Sequence, residues 1–230
     1  MIMFFSKMTL DREAAISGRF RDLVTGPYQV HEVIWDLFAD HPDRKRDFLY
    51  RAELTGRDPV VYLLSARKPV YEGNVWNILS KPFHPVLQKD DLLNFRIRVN
   101  PVVTKTEPDP DRKRIRHRHD VIMDAKRRLN EANSSFSMSD LVQQESVRWL
   151  RQRSEKGGFS LYEDRVIAGG YRKMQFSQGR KKNTISISVV DCDGVLRVTD
   201  PDLFLQMICN GLGPAKGFGC GLMMVKRAAL

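Results

Sequence analysis

The first half of the chain combines short apolar runs with one amphipathic segment. Residues 27–38 place apolar side chains at helical spacing after Gly26-Pro27, a start that suits a helix N-terminus. The runs that predict strands are 3–10, 48–53 and 60–65. Turn-forming residues at 55–59 predict that the last two strands form a hairpin. The charged segment 11–25 predicts a loop, and the proline-containing segment 81–85 can be neither helix nor central strand.

The second half repeats this pattern with a more cationic character. Residues 92–99 alternate apolar and basic side chains, which predicts a strand with one buried and one solvated face. Helices are predicted over 139–153, ended by Gly157-Gly158, and from Pro201 onwards. The other predicted strands are 160–167, 170–176, 184–190, 195–199 and 222–225.

The two halves share the order strand, helix, hairpin and further strand, although a second helix is clear only in the second half. This is the split βαβ order of ferredoxin-like domains. We therefore predict an α+β fold of two tandem ferredoxin-like (RRM-like) domains. Their predicted limits are 1–90 for the N-terminal domain and 91–230 for the C-terminal domain, with the boundary near Asp90.

The composition favours a folded protein that binds a polyanion. The 230 residues include 38 Lys and Arg against 28 Asp and Glu, a formal net charge of +10, and 42% are hydrophobic. Excess positive charge attracts nucleic acid first and an anionic membrane surface second. Three cysteines without a C-x-x-C pair argue against a disulfide framework or structural zinc. Because Lys7 and Asp11 interrupt the apolar N-terminal run, we expect a cytoplasmic protein without a signal peptide or membrane span.

A glycine-rich segment near the C-terminus is the first candidate for chemistry. Residues 211–221 contain five glycines, which allow backbone N–H groups to approach a phosphate, and Lys216 adds a charge. The segment is neither a Walker loop nor a dinucleotide fingerprint, because the required Lys-Ser/Thr and third glycine are absent. A phosphate-facing loop and a tight connection between the last helix and the last strand both fit this composition.

The second candidate is His31, which lies at the flank of the apolar stripe of the first helix. Tyr28 and Trp35 lie beside it on the helical wheel. A flanking histidine can face a groove while its helix stays anchored in the core, close to N–H groups that favour bound anions. The alternative is a boundary histidine that packs locally.

The most basic part of the chain is residues 105–128. In a strand, His117 and His119 would share one face and could form a metal pair. Neighbouring arginines would repel a dication, so the favoured interpretation is an RNA-contacting or solvated basic segment. A second cationic feature is the connection 178–183, predicted to be the tip of a hairpin.

Four segments together resemble the CasE family, the repeat-processing endoribonucleases of the Cascade-type CRISPR system. They are Gly26-Pro27-Tyr28-Gln29-Val30-His31, residues 43–53, Phe95-Arg96-Ile97-Arg98-Val99-Asn100-Pro101 and the glycine-rich GLGPAKGFGCGL of residues 211–222. The resemblance covers most of the chain in the right order, and the last motif together with the Tyr-x-x-His helix is quite specific.

The resemblance implies an enzyme that binds the stem-loop of CRISPR repeat RNA and cuts at the 3′ base of the stem without metal or other cofactor. It also implies that the enzyme retains the crRNA and joins the other Cascade subunits. By motif position, His31 is the catalytic histidine and Tyr28 its neighbour, and a basic residue such as Lys173 or one at the hairpin tip assists. The residues predicted to bind RNA are Arg96, Arg98, Arg112, Lys113, Arg114, Arg116, Arg172, Arg180, Lys181, Lys182, Gly213, Lys216 and Gly217.

The chemistry of metal-free RNA cleavage agrees with this assignment. The 2′-hydroxyl is the nucleophile, so the protein must orient it, neutralise the phosphorane and protonate the leaving 5′-oxygen. Histidine can transfer protons near neutral pH, and general acid is the role favoured for His31. The expected products are a 2′,3′-cyclic phosphate and a 5′-hydroxyl.

Two other function classes stay open at this point. The first is a nonenzymatic RNA-binding protein with the same fold, which incubation with repeat RNA and EDTA would distinguish. The second is a nucleotide-binding enzyme that uses the glycine-rich end as a phosphate cradle, although the expected magnesium ligands are absent from the sequence pattern.

Overall fold

The computed structural model of the chain describes residues 3–11, 13, 27–38, 46–54, 59–108, 114–177 and 184–228. The chain divides into two compact units, each assembled from separate segments. The first unit contains Met1–Val86, Met174–Ser186 and Ile208–Leu222, and the second contains Leu87–Lys173, Ile187–Met207 and Met223–Leu230. The domain limits 1–90 and 91–230 stay a prediction.

The first unit is built on a four-stranded antiparallel sheet with one helix on one face. The strands are β1 (Met3–Leu10), β2 (Phe48–Glu53), β3 (Val60–Ser65) and β4 (Trp76–Phe83). They lie in the order β2-β3-β1-β4. Helix α1 (Pro27–Asp36) buries Val30 and Ile34 against Met8 and the other inward side chains of the sheet. Strand order and helix position define a ferredoxin-like domain.

The first three strands and α1 were predicted, whereas β4 was missed. Within the described chain β4 pairs only with β1 and is an edge strand, a position that tolerates Pro82. Residues 66–75, all of them described, contain no helix between β3 and β4, in agreement with the sequence pattern. Apart from residues 11 and 13, the predicted loop 11–25 lies outside the described residues.

The second unit contains the same strand order in its main sheet. Its four principal strands are β5 (Leu92–Val99), β8 (Phe159–Leu161), β10 (Thr184–Val198) and β11 (Met223–Arg227). They lie in the order β11-β5-β10-β8, and β9 (Ile167–Ser177) pairs with β10. The last residues of β9, from Met174, and the first of β10, to Ser186, belong to the first unit. Their buried side chains, among them Phe95, Ile97 and Leu196, form the core of this second ferredoxin-like domain.

A separate two-stranded sheet and three helices complete the described structure. The two strands are β6 (Val102–Pro108) and β7 (Arg114–Asp120), and the helices are α2 (Val121–Glu131), α3 (Met138–Ser154) and α4 (Pro201–Asn210). Helices α3 and α4 confirm the two helices predicted here. No helix in the described part of the chain is long and apolar enough to cross a bilayer.

Three strand predictions in this half were partly wrong. The predicted strands 184–190 and 195–199 are one continuous strand, β10. Gly194, between the two predicted strands, is a point of close packing, since a Cβ there would lie 2.9 Å from the carbonyl oxygen of Arg165. The predicted strand 160–167 is the short β8 followed by a 3-10 turn at Glu163–Arg165.

Candidate active site

His31 lies on α1 with its imidazole against the glycine-rich segment of the same compact unit. Val30 and Ile34, 3% and 0% exposed, anchor the helix in the core and leave His31 half-buried at its flank. The imidazole Nδ1 lies 2.5 Å from the carbonyl oxygen of Gly217. The ring stacks on Phe218, with 5.5 Å between ring centroids, and the edge of Trp35 lies beside it. The structure thus brings together two segments that sequence analysis named separately.

The Gly217 carbonyl determines which imidazole nitrogen can transfer a proton. A carbonyl oxygen only accepts hydrogen bonds, so Nδ1 carries a hydrogen and donates it. Nε2 is therefore the nitrogen that can act as an acid when protonated or as a base when neutral.

A buried tyrosine holds the same carbonyl group. Tyr50, on β2, is 2% exposed. Its hydroxyl donates to the carbonyl oxygen of Gly217 at 3.1 Å. The carbonyl that orients His31 is therefore itself fixed from the sheet. The sequence patterns predict no role for Tyr50 or Phe218; the inward position of Tyr50 at the middle of β2 is the available signal.

Lys216 anchors the glycine-rich segment to the end of α4. Its ammonium donates to the carbonyl oxygen of Asn210 at 2.7 Å, one of the helix-terminal carbonyls that lack a helical partner. Burial, with a smaller contribution from the positive charge of Arg46, lowers the pKa of Lys216. Lys216 therefore has a structural contact here, and its contact with RNA stays a prediction.

His31 also lines an open depression on the first unit. The depression has a volume of about 410 Å³, and Glu32, Trp35 and Asp36 complete its lining. The described residues contain no group of three or more His, Cys, Asp or Glu side chains that could hold a metal ion. On β7, the rings of His117 and His119 lie 6.5 Å apart.

Of the other two predicted catalytic residues, Lys173 is described with its side chain and Tyr28 only by its place on α1. Tyr28 lies three residues before His31 on α1, and its side chain is outside the description. Lys173 is exposed on β9 and belongs to the second compact unit, whereas His31 belongs to the first. Their catalytic roles stay predictions.

Three of the arginines predicted to bind RNA are paired with aspartates of β10. Arg96 donates to Asp193 at 2.5 Å. Arg98 donates to both carboxylate oxygens of Asp191, at 2.8 and 3.1 Å. Arg172 also donates to Asp191, at 3.1 Å. The alternation in β5 predicted a cationic face, and the sequence pattern of β10 did not reveal these partners.

The remaining predicted RNA-binding residues are described less completely. Gly213 has a left-handed backbone, with φ of 78°. Arg114 and Arg116 lie on β7, and their side chains are not described. Those outside the described residues are Arg112, Lys113, Arg180, Lys181 and Lys182.

Fold and site together define a class of protein with two ferredoxin-like domains, one of which holds a histidine against a glycine-rich segment. Residues 3–227 match the family described as CRISPR associated protein. The chain belongs to this family of CRISPR associated proteins.

Two relatives and one solved structure illustrate the similarity. The chain is 31% identical over 225 residues to the CRISPR system Cascade subunit CasE of Escherichia coli (strain K12), covering 96% of this chain and 98% of the relative. It is 27% identical over 238 residues to the CRISPR-associated endoribonuclease Cse3 of Thermus thermophilus, covering 97% of this chain and 99% of the relative. The structure of CRISPR endoribonuclease Cse3 bound to 19 nt RNA is similar with a TM-score of 0.67 and 25% identity, covering 98% of this chain and 99% of that one.

Proposed function

We propose that this chain is an endoribonuclease that processes CRISPR repeat RNA. It binds the stem-loop of the repeat and cleaves at the 3′ base of the stem to produce mature crRNA. The family, the relative named an endoribonuclease and the similar structure bound to RNA support this proposal. The formal charge of +10 supports a polyanionic substrate.

The observation that carries the proposal is the hydrogen bond between His31 Nδ1 and the Gly217 carbonyl. With Nδ1 engaged, Nε2 is the atom that protonates the leaving 5′-oxygen while the 2′-hydroxyl attacks the phosphate. The products are a 2′,3′-cyclic phosphate and a 5′-hydroxyl. Tyr28 assists by positioning, and a basic residue, Lys173 or one at 180–182, neutralises the phosphorane. This chemistry requires no metal.

The enzyme then retains the crRNA and joins other Cascade subunits in the cytoplasm. The relative named a Cascade subunit supports this part of the proposal. A test is co-purification of the crRNA and of the other subunits with the chain after their joint expression.

The cleavage proposal is tested with His31→Ala and a repeat transcript in EDTA. We expect the cleavage rate to fall by at least ~100-fold, the lower end for loss of a general acid or base, with RNA affinity little changed. His84→Ala is the matched control, because His84 is an exposed histidine of the same compact unit.

A second arm uses RNA with a 2′-deoxy nucleotide at the scissile position, which we expect the wild-type protein to bind and leave intact. Wild-type cleavage by His31→Ala would remove His31 from the mechanism. Specific binding without cleavage of the all-ribose transcript would instead support the nonenzymatic RNA-binding alternative.

A further inference from the structure

The sheet of the first unit carries aromatic and basic side chains on the face opposite α1. Side chains alternate along a strand, and Met8 of β1 packs in the core with α1, so Phe5 and Lys7 lie on the other face. By register, Lys7 pairs with Tyr62 of β3 and with Leu79 of β4. We call this surface, made of Phe5, Lys7, Tyr62, Leu79, Lys81 and Phe83, the open face.

Three rings of the open face are in contact and partly exposed. Phe5 stacks on Tyr62, with 6.1 Å between centroids and 22° between ring planes. Phe5 also contacts Phe83, at 6.2 Å and 34°. All three rings are half-buried, and Leu79 beside them is 75% exposed. The rings therefore present part of their surface outward at the edge of a covered patch, in which Leu64, the β3 partner of Phe5, and Arg51, the β2 partner of Tyr62, are 1% and 3% exposed.

The charges around these rings are positive. Lys7 and Lys81 are both exposed, and Lys81 lies directly opposite Phe5 in the β1–β4 register. An acid at an outward position of β2, Glu53, is already 2.5 Å from the Arg51 guanidinium. An exposed sheet face normally carries polar side chains. Rings alternating with lysines instead suit a ligand that has both flat apolar groups and negative charge.

We propose that the open face is a binding platform for unpaired RNA, separate from the site at His31. Bases stack on Phe5 and Tyr62, while Lys7 and Lys81 contact phosphates. A four-stranded sheet whose strands present aromatic rings can stack two or three bases in this way. Stacking accepts every base, because each has a π-face, so the platform is tolerant of sequence. The inference rests on the proposed function only in taking RNA as the polyanion.

The platform is tested by fluorescence anisotropy with a labelled, unstructured oligoribonucleotide of roughly 10 nucleotides, within the site sizes of single-strand-binding domains. Phe5→Leu and Tyr62→Leu remove a π-face and keep apolar volume. We expect each to weaken binding roughly 5- to 100-fold, the range for loss of one base–aromatic stack. Lys7→Gln should weaken binding less and lower its salt dependence.

Matched controls separate stacking from general attraction. Val70→Ser changes an exposed aliphatic side chain outside the sheet, and Lys68→Gln removes an exposed charge there. Both should bind the oligonucleotide like the wild type. A photoreactive uridine in the oligonucleotide should crosslink to the peptides that contain Phe5 or Tyr62. This crosslink detects RNA contact with the platform in the wild-type protein, so the test does not depend on whether a ring variant folds.

The outcomes distinguish this inference from the proposed cleavage. His31→Ala should bind the oligonucleotide normally, and the platform variants should cleave at the wild-type rate a stem-loop whose only single-stranded extension is the nucleotide that carries the leaving 5′-oxygen. Oligonucleotide binding that is unchanged in both folded ring variants, or crosslinks that fall elsewhere, would overturn the platform. That result would indicate a face that contacts protein, and it would leave the cleavage proposal intact.

Discussion

At the scale of single residues, the Gly217 carbonyl makes Tyr50 a positioning residue for His31. Tyr50→Phe keeps the buried ring and removes the hydroxyl that fixes this carbonyl. Because one hydrogen bond is lost, we expect kcat to fall about 2- to 10-fold. KM and RNA affinity should not change, whereas a general loss of structure would alter them. Tyr62→Phe, which removes a hydroxyl from the neighbouring strand β3, is the control and should retain the wild-type rate.

Tyr28 is the second residue whose hydroxyl can be tested alone. It lies three residues before His31, on the same side of α1. Tyr28→Phe should lower the single-turnover rate less than His31→Ala, through lost positioning. If the variant instead abolishes RNA binding, the placement of Tyr28 at the scissile phosphate is wrong.

The sequence predicts the position of His31 but not its contact with Gly217. The position of His31 at the flank of an apolar stripe follows from local helical spacing, and α1 confirms it. Its partner Gly217 is 186 positions away, so their contact depends on how the glycine-rich segment packs along β2 and α1. From the sequence alone, Tyr50 is an ordinary inward-facing residue of a strand. Hydrogen bonds between distant segments leave no periodic signal.

At the scale of elements, the glycine-rich segment can be tested with two matched substitutions. Gly213 has φ of 78°, so Gly213→Ala should cost about 1 kcal/mol of folding stability. At Gly217 a Cβ would lie 3.7 Å from His31 Cε1, an ordinary contact, so Gly217→Ala should fold normally. If the segment faces RNA, Gly217→Ala should weaken binding at an unchanged melting temperature. Wild-type RNA affinity in both folded variants would exclude the segment as a binding element.

The junction between β9 and α2 makes stability sensitive to alkaline pH. Tyr171 donates to Asp120, the N-cap of α2, at 2.8 Å. Burial is the largest cause that raises the pKa of Tyr171 from 10.0 to about 12. The unfolded chain therefore loses this proton first, and the stabilisation is complete below pH 10 and lost as the pH rises towards 12.

The measurement is urea unfolding of the wild type and of Tyr171→Phe from neutral pH upwards. The variant should lose less stability than the wild type between pH 10 and 12. Parallel losses in the two proteins would contradict a raised Tyr171 pKa. Tyr162→Phe, in the same compact unit, controls for the loss of one phenol.

Strands and helices were predicted correctly where the local sequence pattern determines them. They were missed where sheet position or packing determines them. The hairpin of β2 and β3 has apolar strands around a turn-forming cluster, and its limits match the prediction. Strand β4 was missed because Pro82 excludes a central strand but not an edge strand. Helix α2 was missed because basic side chains obscure its apolar stripe, although the Asp120 cap marks its start. The continuity of β10 through Gly194 depends on packing that sequence does not show.

At the scale of the whole molecule, the basic residues behind the net charge of +10 differ in whether an acidic side chain lies close to them. On β5, Arg96 and Arg98 are matched by Asp193 and Asp191. RNA phosphates would have to compete with these carboxylates for the guanidinium groups. The predicted hairpin tip at 180–182 consists of three consecutive basic residues, and no acid adjoins them in sequence. Its contribution to RNA affinity should therefore be larger than that of β5.

This difference leads to a prediction on salt dependence. Affinity for the stem-loop should fall by about 0.7 to 0.9 log units per log unit of salt for each phosphate contact. Replacing Arg180, Lys181 and Lys182 together with Ala should weaken binding and reduce this slope. Arg96→Gln should reduce the slope less, because Arg96 must first leave Asp193, which lies 2.5 Å away.

A separate prediction concerns His117 and His119. Replacing both should leave the metal content of the purified protein unchanged.

The measurement is the stem-loop dissociation constant over a series of salt concentrations, for the wild type, the triple variant and Arg96→Gln. A flat salt dependence of the wild type would contradict binding through phosphates, because release of counterions from RNA makes such binding salt-dependent. An equal loss of slope in the triple variant and in Arg96→Gln would show that the ion pair with Asp193 opens without appreciable cost. Phosphate contacts would then be distributed over β5 as well as over the hairpin tip.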